Sequence, residues 1–592
     1  MYLKKFLYGF LIWRMKHIRD ANFLLIVASI VGLIAGLAAV TLKTTVHLIQ
    51  ELLQNNIAIA RINYLYLLYP AVGILITVAL RNYIFRDTPG HGITRILRAI
   101  SKNSSRIRKR YMFSNMFKSA FTVGFGGSVG LEAPIVVTGS AIGSNIGQLV
   151  HLDYKKRSLL IGCGAAGAIS AIFNSPIAGV IFAIEVIMTE VRISKFIPIL
   201  IASVSGQLVS IFLLGEENLF AFRLQDSFNA NVTPWYFLLG LACGIISMYF
   251  TRAIYLVEGA IDGIKNDYGR AVVGGLGLAM ILFLFPPIYG EGYDAIKNLL
   301  AGEESGLASG SLLKSMVEND LTIILLLLLI IIAKPIATAL TIGSGGSGGV
   351  FAPSLFMGGV TGYLFVKITE VIYPGLNISA SNFTLVAMCG VMSGVLHAPL
   401  TAIFLIAEIT GGYTLFVPLM LVSAISYSTI SYFEKHSIYT KKLIESGDLI
   451  RDDRDRIVLS LIDLKKILET DLLRVRPDDT LGDLVKLVKR SKRNIFPVVD
   501  ENAQLAGIVT LDDIRELMFD PDNQENIIVR TIMQRPPAHV SSNEKMQSVM
   551  NKFEVTQAWN LPVIDDGKYI GFVSKSRIFN AYRKKLIRHS KE

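Results

Sequence analysis

The sequence predicts an all-α polytopic membrane domain followed by a small α/β domain outside the membrane. The chain has 592 residues, of which 52% are hydrophobic and only 18% charged, a balance typical of proteins that cross a membrane many times. This apolar character ends near residue 445, and the charged run RDDRDR follows at residues 451–456. We therefore expect a membrane domain in residues 23–445, a linker in 446–470 and a soluble domain after it.

Several segments carry the roughly 20 mostly apolar residues that a spanning helix needs. The clearest apolar runs are Phe23–Leu42, Phe196–Leu214, Ala271–Tyr289 and Phe383–Ala407, with further runs around Trp235–Phe250 and Leu321–Ala333. Other runs are short or broken by Gly and Pro, so the number of helices stays open. The basic, aromatic residues 1–22 predict an amphipathic helix on the cytoplasmic membrane surface, because basic flanks favour that side.

The net charge of +12 has a simpler explanation than nucleic acid. The lysines and arginines cluster beside the apolar runs and in the C-terminal region, where they set topology and anchor the protein to membrane lipid. The sequence also lacks a nucleophile–base motif, a phosphate-binding P-loop and any zinc-ligand spacing. We therefore predict no nucleic-acid partner, no metal site, no catalytic residues and no enzymatic activity.

The membrane domain contains an internal repeat. The segment GAISAIFNSPIAGVIFAIEV (167–186) aligns without a gap with GVMSGVLHAPLTAIFLIAEI (390–409). A glycine-rich loop precedes each copy at a similar distance: GSVGLEAP ends at Pro134 and GSGGVFAP ends at Pro353. Two motifs that recur in the same order predict two homologous, inverted repeats built with discontinuous helices.

The two glycine-rich loops have the chemistry of an anion site. Glycine allows backbone N–H groups to approach a ligand, and proline suits the first turn of the helix that follows. The N-terminus of a helix carries unpaired donors and partial positive charge, so it attracts an anion without gripping it. The alternative is that the small residues only permit close packing of helices.

These loops resemble those of the CLC family of chloride channels and proton–chloride exchangers. The family's loops read G-S-G-I-P, G-[K/R]-E-G-P and G-x-F-x-P, with a late tyrosine. Here they appear as GHGIT (Gly90–Thr94), GLEAP (Gly130–Pro134) and GVFAP (Gly349–Pro353), with Tyr439 in SIYTKKL. FNSPIAGVIFAIE (173–185) is a further match. The resemblance covers nearly the whole chain and implies a homodimer that transports chloride or similar small anions, with one pore per subunit.

By this resemblance Glu132 is the gating glutamate. A carboxylate at a helix N-terminus beside an anion path can occupy the anion's own site, and protonation or displacement by an anion would open the path. Ionisable groups inside a membrane are costly to bury and for that reason usually functional. The alternative is a carboxylate that merely caps its own helix.

The resemblance also implies an anion site built from one hydroxyl and several backbone groups. Its predicted residues are Gly90, His91, Gly92, Gly130, Val350, Phe351 and Tyr439. His91 stands where the family usually has a serine, and Thr94 replaces the proline of that loop. A histidine ring can donate a hydrogen bond or become cationic near neutral pH, so direct contact with the anion and a side chain turned away both stay open.

A further departure from the family pattern concerns protons. In the exchangers, a second glutamate that relays protons would follow Glu185, and here that position is Val186. Since a valine cannot carry a proton, the sequence predicts a passive chloride channel gated by Glu132. The proton-coupled exchanger remains the alternative, because some exchangers of the family also lack that glutamate.

The soluble domain contains two similar units, in residues 471–522 and 523–585. Each is predicted to contain a strand, an amphipathic helix, a hairpin and a second helix; the hairpins are FPVVDENAQLAGIV and LPVIDDGKYIGFV. The units resemble a tandem pair of CBS motifs, which commonly bind adenine nucleotides such as ATP, ADP or AMP. No cofactor is otherwise required. A pair that stabilises a dimer without binding any ligand is the alternative.

The nucleotide contact of this resemblance falls in the first unit. The usual T/S-x-x-D pattern is matched by Thr510 and Asp513, whose carboxylate can accept hydrogen bonds from ribose hydroxyls. The second unit has Ser574 and Arg577 at these positions and so lacks the carboxylate. Because nucleotides are cytosolic, we expect the tail to be cytoplasmic, in a multi-pass protein of a bacterial plasma (inner) membrane.

A remote alternative is a CBS-regulated divalent-cation transporter. Because Mg²⁺ prefers oxygen ligands, such a protein would need several carboxylates within the membrane. The conspicuous acids in the apolar segments are Glu132, Glu185 and Glu408, and the last two occupy equivalent positions of the repeat. The sequence therefore favours anion transport.

Overall fold

The structure is a computed structural model. It describes residues 14, 16–55, 68–87, 92–188, 196–215, 229–304, 319–376, 378–445, 459 and 462–590. The chain divides into two compact units, Met1–Leu449 and Ile450–Glu592. Most of the segment predicted as an N-terminal amphipathic helix lies outside the described residues, since residues 1–13 are not among them.

The first unit is helical throughout its described part. Its helices are α1 (Asp20–Asn55), α2 (Tyr69–Ala79), α3 (Gly92–Lys102), α4 (Ser114–Gly124), α5 (Glu132–Leu149), α6 (Tyr154–Phe173), α7 (Pro176–Phe182), α8 (Phe196–Leu214), α9 (Thr233–Asp262), α10 (Asp267–Leu284), α11 (Tyr293–Ala301), α12 (Asp320–Gly343), α13 (Phe351–Ile372), α14 (Ala380–Leu396), α15 (Pro399–Ile409), α16 (Phe416–Phe433) and α17 (Lys441–Glu445). Helices α2 and α7 each continue into a π-helical turn, at Leu80–Phe85 and Ala183–Ile187. Within the described residues, eight helices (α1, α6, α8, α9, α10, α12, α13 and α16) are long and apolar enough to span a membrane.

One predicted span is wrong. The apolar run Phe383–Ala407 forms two helices instead of one, because the chain turns between α14 and α15. His397 ends α14 in the left-handed conformation, at φ 53°, and Pro399 begins α15. A proline cannot donate the backbone hydrogen bond that a continuous helix requires, so it starts a new helix here. The equivalent turn between α6 and α7 has the same form, with Asn174 at φ 57° before Pro176.

The internal repeat extends into the packing of the helices. In both halves, two glycines follow the loop proline at equal distances: Gly139 and Gly143 on α5, Gly358 and Gly362 on α13. Each faces the backbone of the next long helix so closely that a Cβ atom would overlap it; α5 packs on α6, and α13 packs on α14. The small residues therefore permit close helix packing in each half.

The two halves are joined through a reciprocal pair of glutamates. Glu408, at the end of α15, accepts hydrogen bonds from the first amides of α7, those of Ile177 at 3.0 Å and Ala178 at 2.8 Å. Glu185, just after α7, accepts hydrogen bonds from the first amides of α15, those of Leu400 at 3.2 Å and Thr401 at 2.8 Å. Each acid thus satisfies the unpaired donors at the start of the other half's helix.

The second unit, which forms the C-terminal tail, consists of two similar α/β motifs. Its elements are α18 (Leu481–Arg490), β1 (Ile495–Val499), β2 (Leu505–Thr510), α19 (Leu511–Ile514), α20 (Pro521–Asn526), α21 (Val529–Ile532), α22 (Met546–Thr556), β3 (Asn560–Asp565), β4 (Lys568–Ser574) and α23 (Lys575–Ser590). Strands β1 and β2 form one antiparallel hairpin, and β3 and β4 form the other. The strand predicted at the start of each motif is reduced to a single parallel bridge, between Val475 and Val498 in the first motif and between Val540 and Val563 in the second.

We predict that Glu408→Ala lowers the stability of the membrane unit without abolishing anion transport. The substitution leaves two amides of α7 without an acceptor, which costs about 1–3 kcal/mol. Thermal unfolding of the detergent-solubilised protein should show a lower midpoint, while Glu370→Ala, a change at a half-exposed surface acid, should not. Wild-type stability combined with lost transport would contradict the structural role of Glu408.

Candidate functional site

The two glycine-rich loops meet through a backbone pair. Gly130 N donates a hydrogen bond to Gly349 O at 2.9 Å, and Gly349 N donates to Gly130 O at 2.8 Å. A Cβ at Gly130 would lie 2.9 Å from the Cβ of Ala352, and one at Gly349 would lie 2.8 Å from the Cβ of Ala133. Only glycine fits at these two positions, and the pairing places the N-termini of α5 and α13 side by side.

Glu132 is the first residue of α5 and is only 2% exposed. Its Oε1 accepts a hydrogen bond at 2.8 Å from the hydroxyl of Tyr293, the first residue of α11. Its Oε2 is buried and has no hydrogen-bond partner within the described residues. This oxygen lies against Gly130, where a Cβ would collide with it. The carboxylate is therefore folded back over the loop, between the two helix N-termini.

Phe351 and Val350 lie on the opposite side of this pair, at the start of α13, and both are buried. The ring of Phe351 stacks on Phe173 with 5.2 Å between centroids, and meets the edge of Phe182 at 6.3 Å. Both partners belong to the first half of the repeat. These aromatic contacts therefore hold the loop Gly349–Pro353 in place against the first half of the repeat.

Tyr439 is also brought to this region. Its side chain is buried, and within the described part of the chain its hydroxyl has no hydrogen-bond partner, although it lies within electrostatic range of Glu132. The hydroxyl of Thr94, on α3, donates a hydrogen bond to the carbonyl of Tyr439 at 2.9 Å. Gly92 starts α3 and lies against Val137 of α5. A buried donor without a partner suits an anion, because it would otherwise cost free energy.

Two of the predicted anion-binding residues, Gly90 and His91, lie outside the described residues. Thr94, noted in the sequence only as a departure from the family pattern, here joins α3 to Tyr439. Val186 is 7% exposed and belongs to an apolar cluster with Phe182 and Ile187.

A polar cavity of about 290 Å³ reaches the two loops at Ala133 and Gly348. Its charged lining residues are Arg81, Arg95, Lys118, Arg270 and Lys442, with the acids Glu258 and Asp262. Four of these cations are ion-paired, Arg81 with Asp267, Lys118 with Asp87, Arg270 with Asp262 and Lys442 with Glu258, so their charges are largely balanced. The sequence showed no sign of this cavity, because its residues come from helices far apart in the chain.

Sequence reasoning also missed Glu291 and Tyr293. The backbone N–H of Leu131, immediately before Glu132, donates a hydrogen bond to Glu291 Oε1 at 3.1 Å. Glu291 and Tyr293 lie in the run GEGYD, residues 290–294. An acid close to a glycine, as in GLEAP, was the available signal, but the run lies just beyond the apolar segment Ala271–Tyr289.

In the tail, Thr510 and Asp513 are engaged with each other. Asp513 Oδ2 accepts hydrogen bonds from the amide and the hydroxyl of Thr510, both at 2.7 Å, and Gln534 donates to Oδ1 at 2.7 Å. The hydroxyl at the matching position of the second motif, that of Ser574, donates a hydrogen bond to Glu469 at 2.7 Å. Glu469 precedes the first motif in the chain, and its carboxylate takes the place of the Asp carboxylate that the second motif lacks.

Comparison with known families agrees with this geometry. The sequence profile of the family described as voltage gated chloride channel matches residues 72–431, and that of the CBS domain matches residues 464–520 and 529–584. The chain belongs to the voltage gated chloride channel family. This confirms the resemblance found in the sequence, for the membrane part and for the CBS pair alike. The chain is a multi-pass membrane protein of a family that transports anions.

Some relatives in this family are named chloride channels, and others are named proton–chloride exchangers. Chloride channel protein CLC-f of Arabidopsis thaliana is 27% identical over 564 residues, covering 84% of this chain and 69% of that protein. The H(+)/Cl(-) exchange transporter ClcA of Vibrio cholerae is 28% identical over 413 residues, covering 67% of this chain and 84% of ClcA.

Solved structures of the family confirm the predicted fold class. A slow cyanobacterial Cl⁻/H⁺ antiporter superposes with a TM-score of 0.61 at 21% identity, covering 72% of this chain and 97% of its own. A eukaryotic CLC transporter superposes with a TM-score of 0.59 at 20% identity, covering 94% of this chain and 97% of its own. At this level of identity the likeness establishes the fold.

We predict that Tyr439→Phe weakens chloride binding by about 2- to 13-fold, because one neutral hydrogen bond contributes about 0.5–1.5 kcal/mol. Isothermal titration of the detergent-solubilised protein with chloride measures this change. The matched control is Tyr249→Phe, which removes a hydroxyl that donates to the carbonyl of Ile332. Unchanged chloride affinity in Tyr439→Phe would show that this hydroxyl does not contact the anion.

Proposed function

We propose that this protein is a chloride channel whose gate is the side chain of Glu132. The observation that carries the proposal is the position of its carboxylate, folded between the paired N-termini of α5 and α13 and held by Tyr293. This is the place where helix N-termini favour an anion. The carboxylate and a chloride ion would compete for it.

Opening then requires the carboxylate to leave. Protonation removes its charge and its attraction to the helix N-termini, and a chloride ion at high concentration can displace it. The amides of the loops at Gly130 and Val350 and the hydroxyl of Tyr439 would hold the ion, together with the first turn of α3 at Gly92. These donors are neutral, so chloride is bound weakly enough to pass through. Gly90 and His91 complete the proposed anion site from the sequence alone.

The channel mode rests on Val186. Its apolar side chain lies where an exchanger would have a proton-carrying glutamate, and its neighbours Phe182 and Ile187 are apolar as well. A proton-coupled exchanger is the second candidate, supported by relatives that bear that name. The family match supports anion transport over a divalent-cation transporter.

We also propose the arrangement of the protein in the cell. The chain would form a homodimer with one pore per subunit in a bacterial plasma membrane, with its N-terminus and its CBS tail in the cytoplasm. The tail would regulate the pore by binding one adenine nucleotide at Thr510 and Asp513. The match to the CBS domain profile supports this site, where the ribose would have to displace the exposed Gln534 from Asp513.

We predict fast chloride efflux from proteoliposomes with no opposed proton movement. In Glu132→Ala the efflux should persist and lose its dependence on external pH, because the gate is gone. External chloride and pH are recorded together, and Glu304→Ala, at an acid bonded to Tyr363, serves as control. Uphill proton movement driven by a chloride gradient, and lost in Glu132→Ala, would make the protein an exchanger instead.

We predict that the full-length protein in detergent binds one adenine nucleotide per chain. Titration calorimetry with ATP, ADP and AMP should show this binding, and Asp513→Asn should weaken it about tenfold or more, since a hydrogen bond to a charged acceptor contributes about 1.5–3 kcal/mol. The matched control is Asp512→Asn, at an adjacent exposed acid paired with Arg515. A tail that binds none of the three nucleotides at millimolar concentration would have a structural role only.

A further inference from the structure

A second acid, Glu291, lies beside the proposed gate, and the inference drawn from it rests on the proposed function of Glu132. It belongs to the short segment between the turn Pro286–Ile288 and α11. Two residues further on, Tyr293, the first residue of α11, donates its hydroxyl to Glu132. This segment and the helix start that follows it therefore carry both the group that holds the gate and a further carboxylate.

Glu291 contacts the backbone that carries the gate. Its Oε1 accepts a hydrogen bond from the N–H of Leu131 at 3.1 Å. Leu131 immediately precedes Glu132, the first residue of α5. This N–H is one of the unpaired donors at the helix N-terminus. It is bound by Glu291 and so cannot bind a chloride ion, which leaves the remaining donors for the gate or for the anion.

The charges around Glu291 come from three other helices. Three charged groups lie within electrostatic range of Glu291: Glu132 on α5, Lys334 on α12 and Lys43 on α1. Lys334 is fully buried, and its Nζ donates hydrogen bonds at 3.2 Å to the carbonyls of Ile288 and Gly290, so it also holds the loop. Tyr293, the first residue of α11, lies within electrostatic range of both acids. Two lysines and two carboxyl groups thus interact in one region of the membrane unit.

We propose that Glu291 is a positioning residue of the gate. It fixes the backbone at Leu131, and its negative charge opposes that of Glu132, so it sets the proton concentration at which Glu132 leaves the anion site. Two ionised carboxylates close together in a membrane repel each other, so a charged Glu291 favours the protonated form of its neighbour. Without this charge, Glu132 stays ionised in its site at lower pH.

Glu291→Gln separates the charge from the hydrogen bond. The glutamine keeps the shape of the side chain and an oxygen that can accept the N–H of Leu131, but it has no charge. Chloride efflux from proteoliposomes is measured over external pH from about 5 to about 8, a range that brackets neutral pH. We expect the pH of half-maximal efflux to shift to more acidic values by about 0.5–1 unit, since removing a nearby like charge favours the ionised carboxylate.

Three further variants make the result specific. Glu291→Asp retains the charge and should keep the wild-type pH profile. Glu132→Gln should show efflux that does not depend on pH, and adding Glu291→Gln to it should change nothing. Glu304→Gln removes an acid that is also hydrogen-bonded to a tyrosine, Tyr363, and also close to a lysine, Lys367, and should leave the profile unchanged.

The outcomes separate this inference from the proposed function. An unchanged profile in Glu291→Gln, with pH-independent efflux in Glu132→Gln, would overturn the role of Glu291 and leave the gate intact. A shift that persists in the double variant, or that Glu304→Gln reproduces, would also overturn it. Efflux that stays pH-dependent in Glu132→Gln would instead contradict the proposed gate.

Discussion

Two hydrogen bonds between the backbones of Gly130 and Gly349 are the contact on which the candidate site depends. They join loops from the two halves of the repeat and satisfy polar groups that would be costly to bury unpaired in an apolar environment. The same contact aligns the starts of α5 and α13, so their remaining amides converge. Since neither position has room for a Cβ atom, the site is possible only where both residues are glycine.

Glu132, Glu185 and Glu408 differ in what their carboxylate oxygens bind, and this difference supports different roles for them. Both oxygens of Glu408 accept amide hydrogen bonds, and so do both oxygens of Glu185. Glu132 has one bonded oxygen and, within the described residues, one without a hydrogen bond. A fully bonded carboxylate is fixed as a cap, whereas a partly bonded one loses less when it moves. This difference from Glu185 and Glu408 supports the proposed role of Glu132 as the gate.

The repeat also explains why the same small residues have two uses. On α5 the glycines at 139 and 143 permit contact with the next helix, and the loop glycine at 130 permits contact with the opposite half. Close packing, one of the two sequence-based alternatives, is thus correct for the glycines within the helices, whereas anion binding at the loops stays a proposal. Packing brings the loops together, and unpaired amides at the two helix N-termini favour an anion there, as the proposed function requires.

By itself, the sequence determined the features that depend on near neighbours. The starts of α5 and α13, each two residues before a proline, the acid at the first position of α5 and the contact of Thr510 with Asp513 all follow from residues within one helical turn. Only the tertiary structure decided the contacts between distant segments: Tyr293 with Glu132 across 161 residues, and Glu185 with Leu400 across 215. The reason is physical, because a local pattern specifies which donors need a partner, whereas the packing of the whole unit selects the distant group that becomes the partner.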